Sequence, residues 1–221
     1  DYLIYDNRTH YILMYVEGIR NARRFMSALR SAARIKPIIL LKAGRHAAGS
    51  AAASTHSGMA AVSDTVFDAA VRRAGVVRVQ NVGQLFYAAK ALASKFRPMG
   101  NRLAIITNGG GPGAMAADRA GDMGIPLAEL SNETMAVLNK ALPTNWSHAN
   151  PIDIGGDATP ERYREAIMAV THDPNVDSTL VMLSPQAMTD PLAVAQAIIE
   201  VADKLNRSLI CCWMGEEQVR E

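Results

Sequence analysis

Cysteine is scarce in this sequence: among 221 residues only Cys211 and Cys212 carry a thiol. They are adjacent in Leu209–Trp213, which reads as a strand. Neighbouring strand side chains point to opposite faces, so the two are poorly placed to pair. That use of cysteine fits a reduced, cytoplasmic protein. No apolar run reaches the roughly 18 residues of a membrane helix. No leader of basic residues followed by an apolar stretch opens the sequence. A strong charge of one sign is missing too. Lys and Arg number 23 against 21 Asp and Glu, a net charge of +2. That balance argues against nucleic acid as the main partner, since its readers carry a basic face. His10, His46, His148 and His172 have no Cys, Asp or Glu at ligand spacing, so no dedicated metal site is expected. There is no Gly-x-Ser-x-Gly nucleophile elbow.

What is present suits a folded protein with a sizeable core: 49% hydrophobic and 20% charged residues. Short apolar runs at Tyr11–Val16, Pro37–Leu41, Val76–Val79, Leu103–Thr107, Thr179–Leu183 and Leu209–Trp213 read as strands. They are apolar on both faces, as parallel strands covered by helices are. Between them, Asn21–Arg34, Asp64–Ala74, Val82–Ser94, Pro112–Met123, Asn132–Ala141, Pro160–Val170 and Leu192–Leu205 read as helices. Ser63, Ser131 and Thr159 stand where capping residues belong. The alternation predicts an α/β protein with doubly wound parallel sheets. Lys95–Arg102 is polar, contains Pro98 and Gly100, and reads as a linker between a domain over 1–96 and another over 97–221. Tyr11–Val16 and Pro37–Leu41 are apolar enough to call for neighbours on both sides. The first sheet is therefore expected to be incomplete at its start. The sequence opens on Asp1 and ends on Glu-Glu-Gln-Val-Arg-Glu (216–221), which reads as a helix cut short and as a piece of something longer.

Four motifs carry chemistry. The first is the loop 42–58, which follows an apolar strand and has almost no large apolar side chains. It ends in Ser54-Thr55-His56-Ser57-Gly58. A lone imidazole there could take a phosphoryl group covalently, or be a surface histidine in a solvated loop. The second is Glu17, at the carboxyl end of the first strand. It could orient an imidazole by accepting from one ring N–H, or cap the helix that follows. The third is Asn108-Gly109-Gly110-Gly111-Pro112-Gly113, a strand-to-helix turn whose free N–H groups and positive helix end suit a phosphate. It is neither a dinucleotide fingerprint nor a P-loop, and it could simply serve tight packing. The fourth is Asn150-Pro151-Ile152-Asp153 with Gly155 and Gly156, a second loop on the same sheet edge or a turn rich in turn residues. Asn150, before proline, is expected to be extended.

In order and spacing, these motifs resemble the nucleoside-diphosphate-forming acyl-CoA synthetases, relatives of succinyl-CoA synthetase. The runs Tyr-Val-Glu-Gly-Ile-Arg-Asn-Ala-Arg-Arg-Phe (15–25) and Lys-Pro-Ile-Ile-Leu-Leu-Lys-Ala-Gly-Arg (36–45) share in the likeness. The resemblance implies two flavodoxin-like domains, with His56 as a phosphohistidine on a swinging loop and Glu17 orienting its ring. Asn108, Gly109, Gly110, Gly111 and Gly113 would then grip the phosphate at one of two such helix ends. Ser54, Thr55, Ser57, Gly58, Asn150 and Asp153 would form the supporting loops. The family's usual Ser-His-Thr-Gly-Ala is Thr-His-Ser-Gly-Met here, so the hydroxyls trade sides and Met59 replaces a small residue. The implied activity is ligation of a small carboxylic acid to coenzyme A at the expense of Mg-ATP, through acyl phosphate and phosphohistidine. This chain itself would bind no cofactor. The coenzyme A-binding and ATP-grasp domains would stand elsewhere in the full-length protein or on another subunit, in an oligomer. Some relatives are fused to lysine acetyltransferases, so an acyl-CoA-sensing regulatory role is the alternative.

Overall fold

The computed structural model describes residues 2–46, 48–49, 63–94, 98–202, 204–205 and 208–219. The histidine loop with Ser54, Thr55, His56, Ser57 and Gly58 lies outside them. The chain divides into two units, Asp1–Lys95 and Phe96–Glu221.

The first unit holds a three-stranded parallel sheet in the order β1-β2-β3, with β1 at Ile12–Val16, β2 at Ile38–Lys42 and β3 at Val77–Val79. Among its described residues, helices α1 (Ala22–Ala33), α2 (Asp64–Arg73) and α3 (Val82–Ala93) belong to the same unit. Alternate residues of β2 feed two cores. Ile38 and Leu40 pack with Leu29, Phe67 and Val71, while Ile39 and Leu41 pack with Val79 and Leu85. Each such fully buried side chain contributes about 1.5–3 kcal/mol. One sequence expectation is corrected here. β2 finds its two neighbours within these three strands. Among the described strands β1 pairs with β2 alone; Leu13 is 37% and Tyr15 61% exposed, while Ile12 and Met14 pack inward.

Local sequence explains most helix starts. Asn21 Oδ1 accepts from Arg24 N–H at 2.9 Å and Asn81 Oδ1 from Gln84 N–H at 2.8 Å, each relieving a donor that the first turn leaves open. Ser63 makes no side-chain capping bond. Asp64, the first residue of α2, instead pairs with Arg78 of β3 and lies 3.8 Å from Lys42 Nζ.

The second unit is a four-stranded parallel sheet in the order β5-β4-β6-β7. Its strands are β4 (Leu103–Thr107), β5 (Ile152–Asp153), β6 (Ser178–Leu183) and β7 (Ser208–Trp213). Its helices are α4 (Gly110–Asp122), α5 (Asn132–Ala141), α6 (Pro160–Thr171) and α7 (Pro191–Ala202). Ile106, Leu138, Ile152, Tyr163, Ile167, Val181 and Leu183 form its dry centre. Ser131 and Thr159 cap α5 and α6 by accepting from Thr134 and Arg162 N–H. The loop expected at 150–157 contains β5, which pairs Ile152 and Asp153 with Ile106 and Thr107. Helix α4 begins at Gly110, earlier than Pro112. The run from Glu216 forms a short 3₁₀ turn over Glu216–Val219. Gly100 is dictated by close approach: a methyl group there would lie 2.5 Å from Asp177 Oδ2, which is bonded to Arg102. Cys211 and Cys212 are free, exposed thiols on β7. No helix among the described residues is long and apolar enough to cross a membrane.

Candidate functional site

At the carboxyl edge of the second sheet, the chain leaves β4 toward β5 and leaves β6 toward β7 on the other side. The gap between β4 and β6 is thus a topological switch point, where open α/β sheets bind ligands. Asn108 bridges this gap. Its side chain is buried, its Nδ2 donates to Ser184 O at 2.8 Å, and its Oδ1 accepts from Ser184 N–H at 2.7 Å. A single amide therefore locks the loop after β4 to the loop after β6.

The start of α4 is set by that lock. Thr107 Oγ1 accepts from Gly109 N–H at 3.1 Å, and Gly109 is the N-cap without any side-chain capping bond. The first intrahelical bond runs from Gly113 N–H to Gly109 O at 3.1 Å. Pro112 has no N–H to offer. Among the described residues, Gly110 and Gly111 N–H meet no acceptor, and the first turn carries no acidic residue of its own. Two open donors at the positive end of a 13-residue helix form an anion cradle.

The glycines of the turn divide into two groups. A methyl group at Gly109 would lie 3.0 Å from Ser184 Oγ, at Gly110 2.9 Å from Asp153 Oδ2, and at Gly113 2.8 Å from Thr107 Cγ2. These three serve tight packing, as the plainer alternative held. Gly111 faces open space, with nothing within 4 Å. The packing keeps the backbone close to β5 and β6, and the opening at Gly111 leaves the donors approachable.

Asp153, at the end of β5, borders the cradle. Its Oδ1 accepts from Gly155 N–H at 3.0 Å. Gly155 has φ +87, a conformation that favours glycine. The following loop is tied down by Arg162, which donates to Ile154 O at 2.8 Å and to Asp157 at 2.7 Å. That hydrogen bond and the guanidinium charge hold the Asp157 carboxyl below its ordinary range. Beneath lies the buried Tyr163, whose hydroxyl donates to Met182 O at 3.0 Å. Burial first, and the charge of Asp153 second, push its phenol well above the usual range.

Of the residues singled out from sequence, the structure brings Asn108, Gly109, Gly110, Gly111, Gly113 and Asp153 together. Asn150 has another place: Oδ1 accepts from Ile105 N–H, while Nδ2 donates to Leu103 O and Ala128 O, so it stitches strand backbones together. The Asn150–Pro151 peptide is cis. In the first unit, Glu17 directly follows β1 and is half-buried. The capping role that competed for it belongs to Asn21. Ser184 was not expected. It follows β6 on the same edge, and a polar residue directly after an apolar strand was the only signal for it. No group of three metal-ligating side chains occurs among the described residues.

Comparison with known proteins gives a consistent picture. Residues 1–92 match the succinyl-CoA ligase like flavodoxin domain, and residues 103–212 match the ligase-CoA domain. An acetate–CoA ligase (ADP-forming) I of Archaeoglobus fulgidus is 41% identical over 221 residues, covering 100% of this chain and 31% of that protein. The subunit alpha of an acetate–CoA ligase (ADP-forming) I of Pyrococcus furiosus is 35% identical, covering 98% of this chain and 47% of the subunit. Among solved structures, the dinucleotide-forming acetyl-coenzyme A synthetase 1 of Candidatus Korarchaeum cryptofilum, in complex with phosphate and ADP, superimposes with a TM-score of 0.89. It is 32% identical, over 98% of this chain and 48% of that one.

Proposed function

Since the chain belongs to the NDP-forming acyl-CoA synthetases and carries their succinyl-CoA-ligase-like flavodoxin and ligase-CoA domains, we propose that it is the phosphoryl-handling part of an acid–CoA ligase. The substrates are a small carboxylic acid, coenzyme A and ATP. In the direction of synthesis, a His56 ring nitrogen attacks the terminal phosphorus of ATP and ADP leaves. The carboxylate then attacks the phosphorus of phosphohistidine, forming acyl phosphate and freeing the imidazole. The coenzyme A thiolate attacks the acyl carbon, and inorganic phosphate departs. Glu17 orients the imidazole by accepting from its other ring nitrogen. Gly110 and Gly111 N–H stabilise the phosphoryl oxygens, with Asn108 holding the cradle in shape.

The observation that carries this reading is the pair of open N–H groups at the start of α4, pinned at the switch point by the Asn108–Ser184 lock. The chain spans 31% and 47% of the two relatives above, one of which is itself a subunit. Nucleotide and coenzyme A are therefore assigned to other domains or subunits, and this chain to the transfer between them. The relatives are ligases and lend no support to the acetyltransferase alternative. The test is incubation of the full-length protein with γ-labelled ATP. Acid-labile, base-stable label should appear on the protein and be absent from His56→Ala. Label retained by that variant defeats the assignment.

A further inference from the structure

The cradle holds a feature that a simple anion site would avoid. Besides the open N–H groups of Gly110 and Gly111, it presents a carboxylate oxygen: Asp153 Oδ2 lies 2.9 Å from the position of a methyl group on Gly110. Asp153 is engaged through its other oxygen, Oδ1, with Gly155 N–H. Oδ2 accepts no hydrogen bond from the described residues. An ionised carboxylate can only accept. The wall also contains an orphan. Ser184 is 8% exposed, and its Oγ is buried without a hydrogen-bond partner beside Gly109, the N-cap of α4. A buried hydroxyl without a partner marks a polar group still to be supplied. Two donors, one hydroxyl and one acceptor thus surround the same helix end.

We propose that Asp153 makes this cradle selective for an oxyanion that carries a proton, namely hydrogen phosphate, over fully ionised oxyanions of the same shape. The inference rests on the phosphate reading above and adds what sets its specificity. Hydrogen phosphate has a P–OH that donates to Asp153 Oδ2 while its remaining oxygens accept from Gly110 and Gly111. Sulfate has the same tetrahedral form and only acceptors at neutral pH. It satisfies the N–H groups but meets Oδ2 as a like charge with no proton between them. A site built around one obligatory hydrogen bond rejects an analogue that cannot form it far more strongly than a site that reads size alone. Free phosphate is the leaving group of the proposed synthesis and the substrate of its reverse, so the selectivity acts on a reactant of the cycle.

The experiment is calorimetric titration of the 221-residue chain with inorganic phosphate, arsenate and sulfate at neutral pH. Phosphate and arsenate, both protonated there, should bind, with sulfate at least about 100-fold weaker. Asp153→Asn keeps the acceptor for Gly155 N–H and replaces Oδ2 by an N–H donor, so sulfate should come within about 3-fold of phosphate. Equal binding of phosphate and sulfate by the wild-type chain overturns the selectivity and leaves the cradle reading intact. Binding of none of the three overturns the cradle reading and this inference with it. Sulfate rejected as strongly by Asp153→Asn as by wild type removes Asp153 from the explanation. The wild-type ratio decides by itself, so the test does not depend on the variant folding.

Discussion

Replacing Asn108 with alanine should destabilise the second unit far more than removing one polar surface residue would. The side chain is 1% exposed and makes reciprocal bonds of 2.8 and 2.7 Å to Ser184 O and N–H. Each bond is worth about 0.5–1.5 kcal/mol net, and a buried group left unpaired costs about 1–3 kcal/mol. Alanine orphans the carbonyl and the amide of Ser184 at once. Some relaxation and water entry will offset part of that, so a loss of about 2–5 kcal/mol is expected. Urea unfolding followed by tryptophan fluorescence measures it, because Trp146 and Trp213, the only tryptophans, both lie in this unit. Asn108→Asp separates the halves of the lock. It keeps an acceptor for Ser184 N–H but sets a carboxylate oxygen against Ser184 O, so it should fall close to alanine. Asn81→Ala, which removes an exposed cap in the first unit, should leave the same fluorescence transition unchanged. A loss below about 0.5 kcal/mol for Asn108→Ala would refute the idea that this amide holds the β4 and β6 loops together.

Gly111→Ala should be tolerated by the fold and gain up to about 1 kcal/mol from helix propensity, whereas Gly110→Ala, meeting Asp153 Oδ2 at 2.9 Å, should lose about 1–3 kcal/mol. Thermal melts of the pair settle this, and comparable melting temperatures would contradict it. Gly100→Ala should weaken the Arg102–Asp177 contact, visible as a lower urea midpoint; an unchanged midpoint would show that Asp177 is free to move aside. Asp173 provides a pH test. Burial opposes its ionisation, but hydrogen bonds from Asn175 and Ser131 N–H outweigh this and hold the carboxyl below its ordinary range. The resulting stability is complete above the unfolded carboxyl's pKa of about 3.9 and disappears as pH falls through the lower folded value. Asp173→Asn should therefore be less stable than wild type at neutral pH, with the gap closing in acid; a gap independent of pH would refute the assignment.

The parts legible in sequence were those whose cause is local. The caps at Ser131 and Thr159 need only a side chain and the next turn, and the Asn108–Gly113 turn announces itself by composition. What escaped depends on partners distant in sequence. Strand β5 has two residues, too short to show a period, and exists because Ile106 and Thr107 pair with it. Ser184 matters through Asn108, 76 positions away. Asn150 looked like a loop residue of the site, yet its amide serves three backbone groups of the sheet and its neighbour. The order of the first sheet, with β2 between β1 and β3, is likewise set by partners that no single strand reveals.

The most direct measurement is a titration of the isotopically labelled chain with inorganic phosphate, followed through its backbone amide resonances. The amides of Gly110 and Gly111 should shift downfield and saturate together, with Ser184 following through its link to Asn108. Saturable shifts confined to other residues, or none at these two glycines, would contradict the claim that the start of α4 is where phosphate is held.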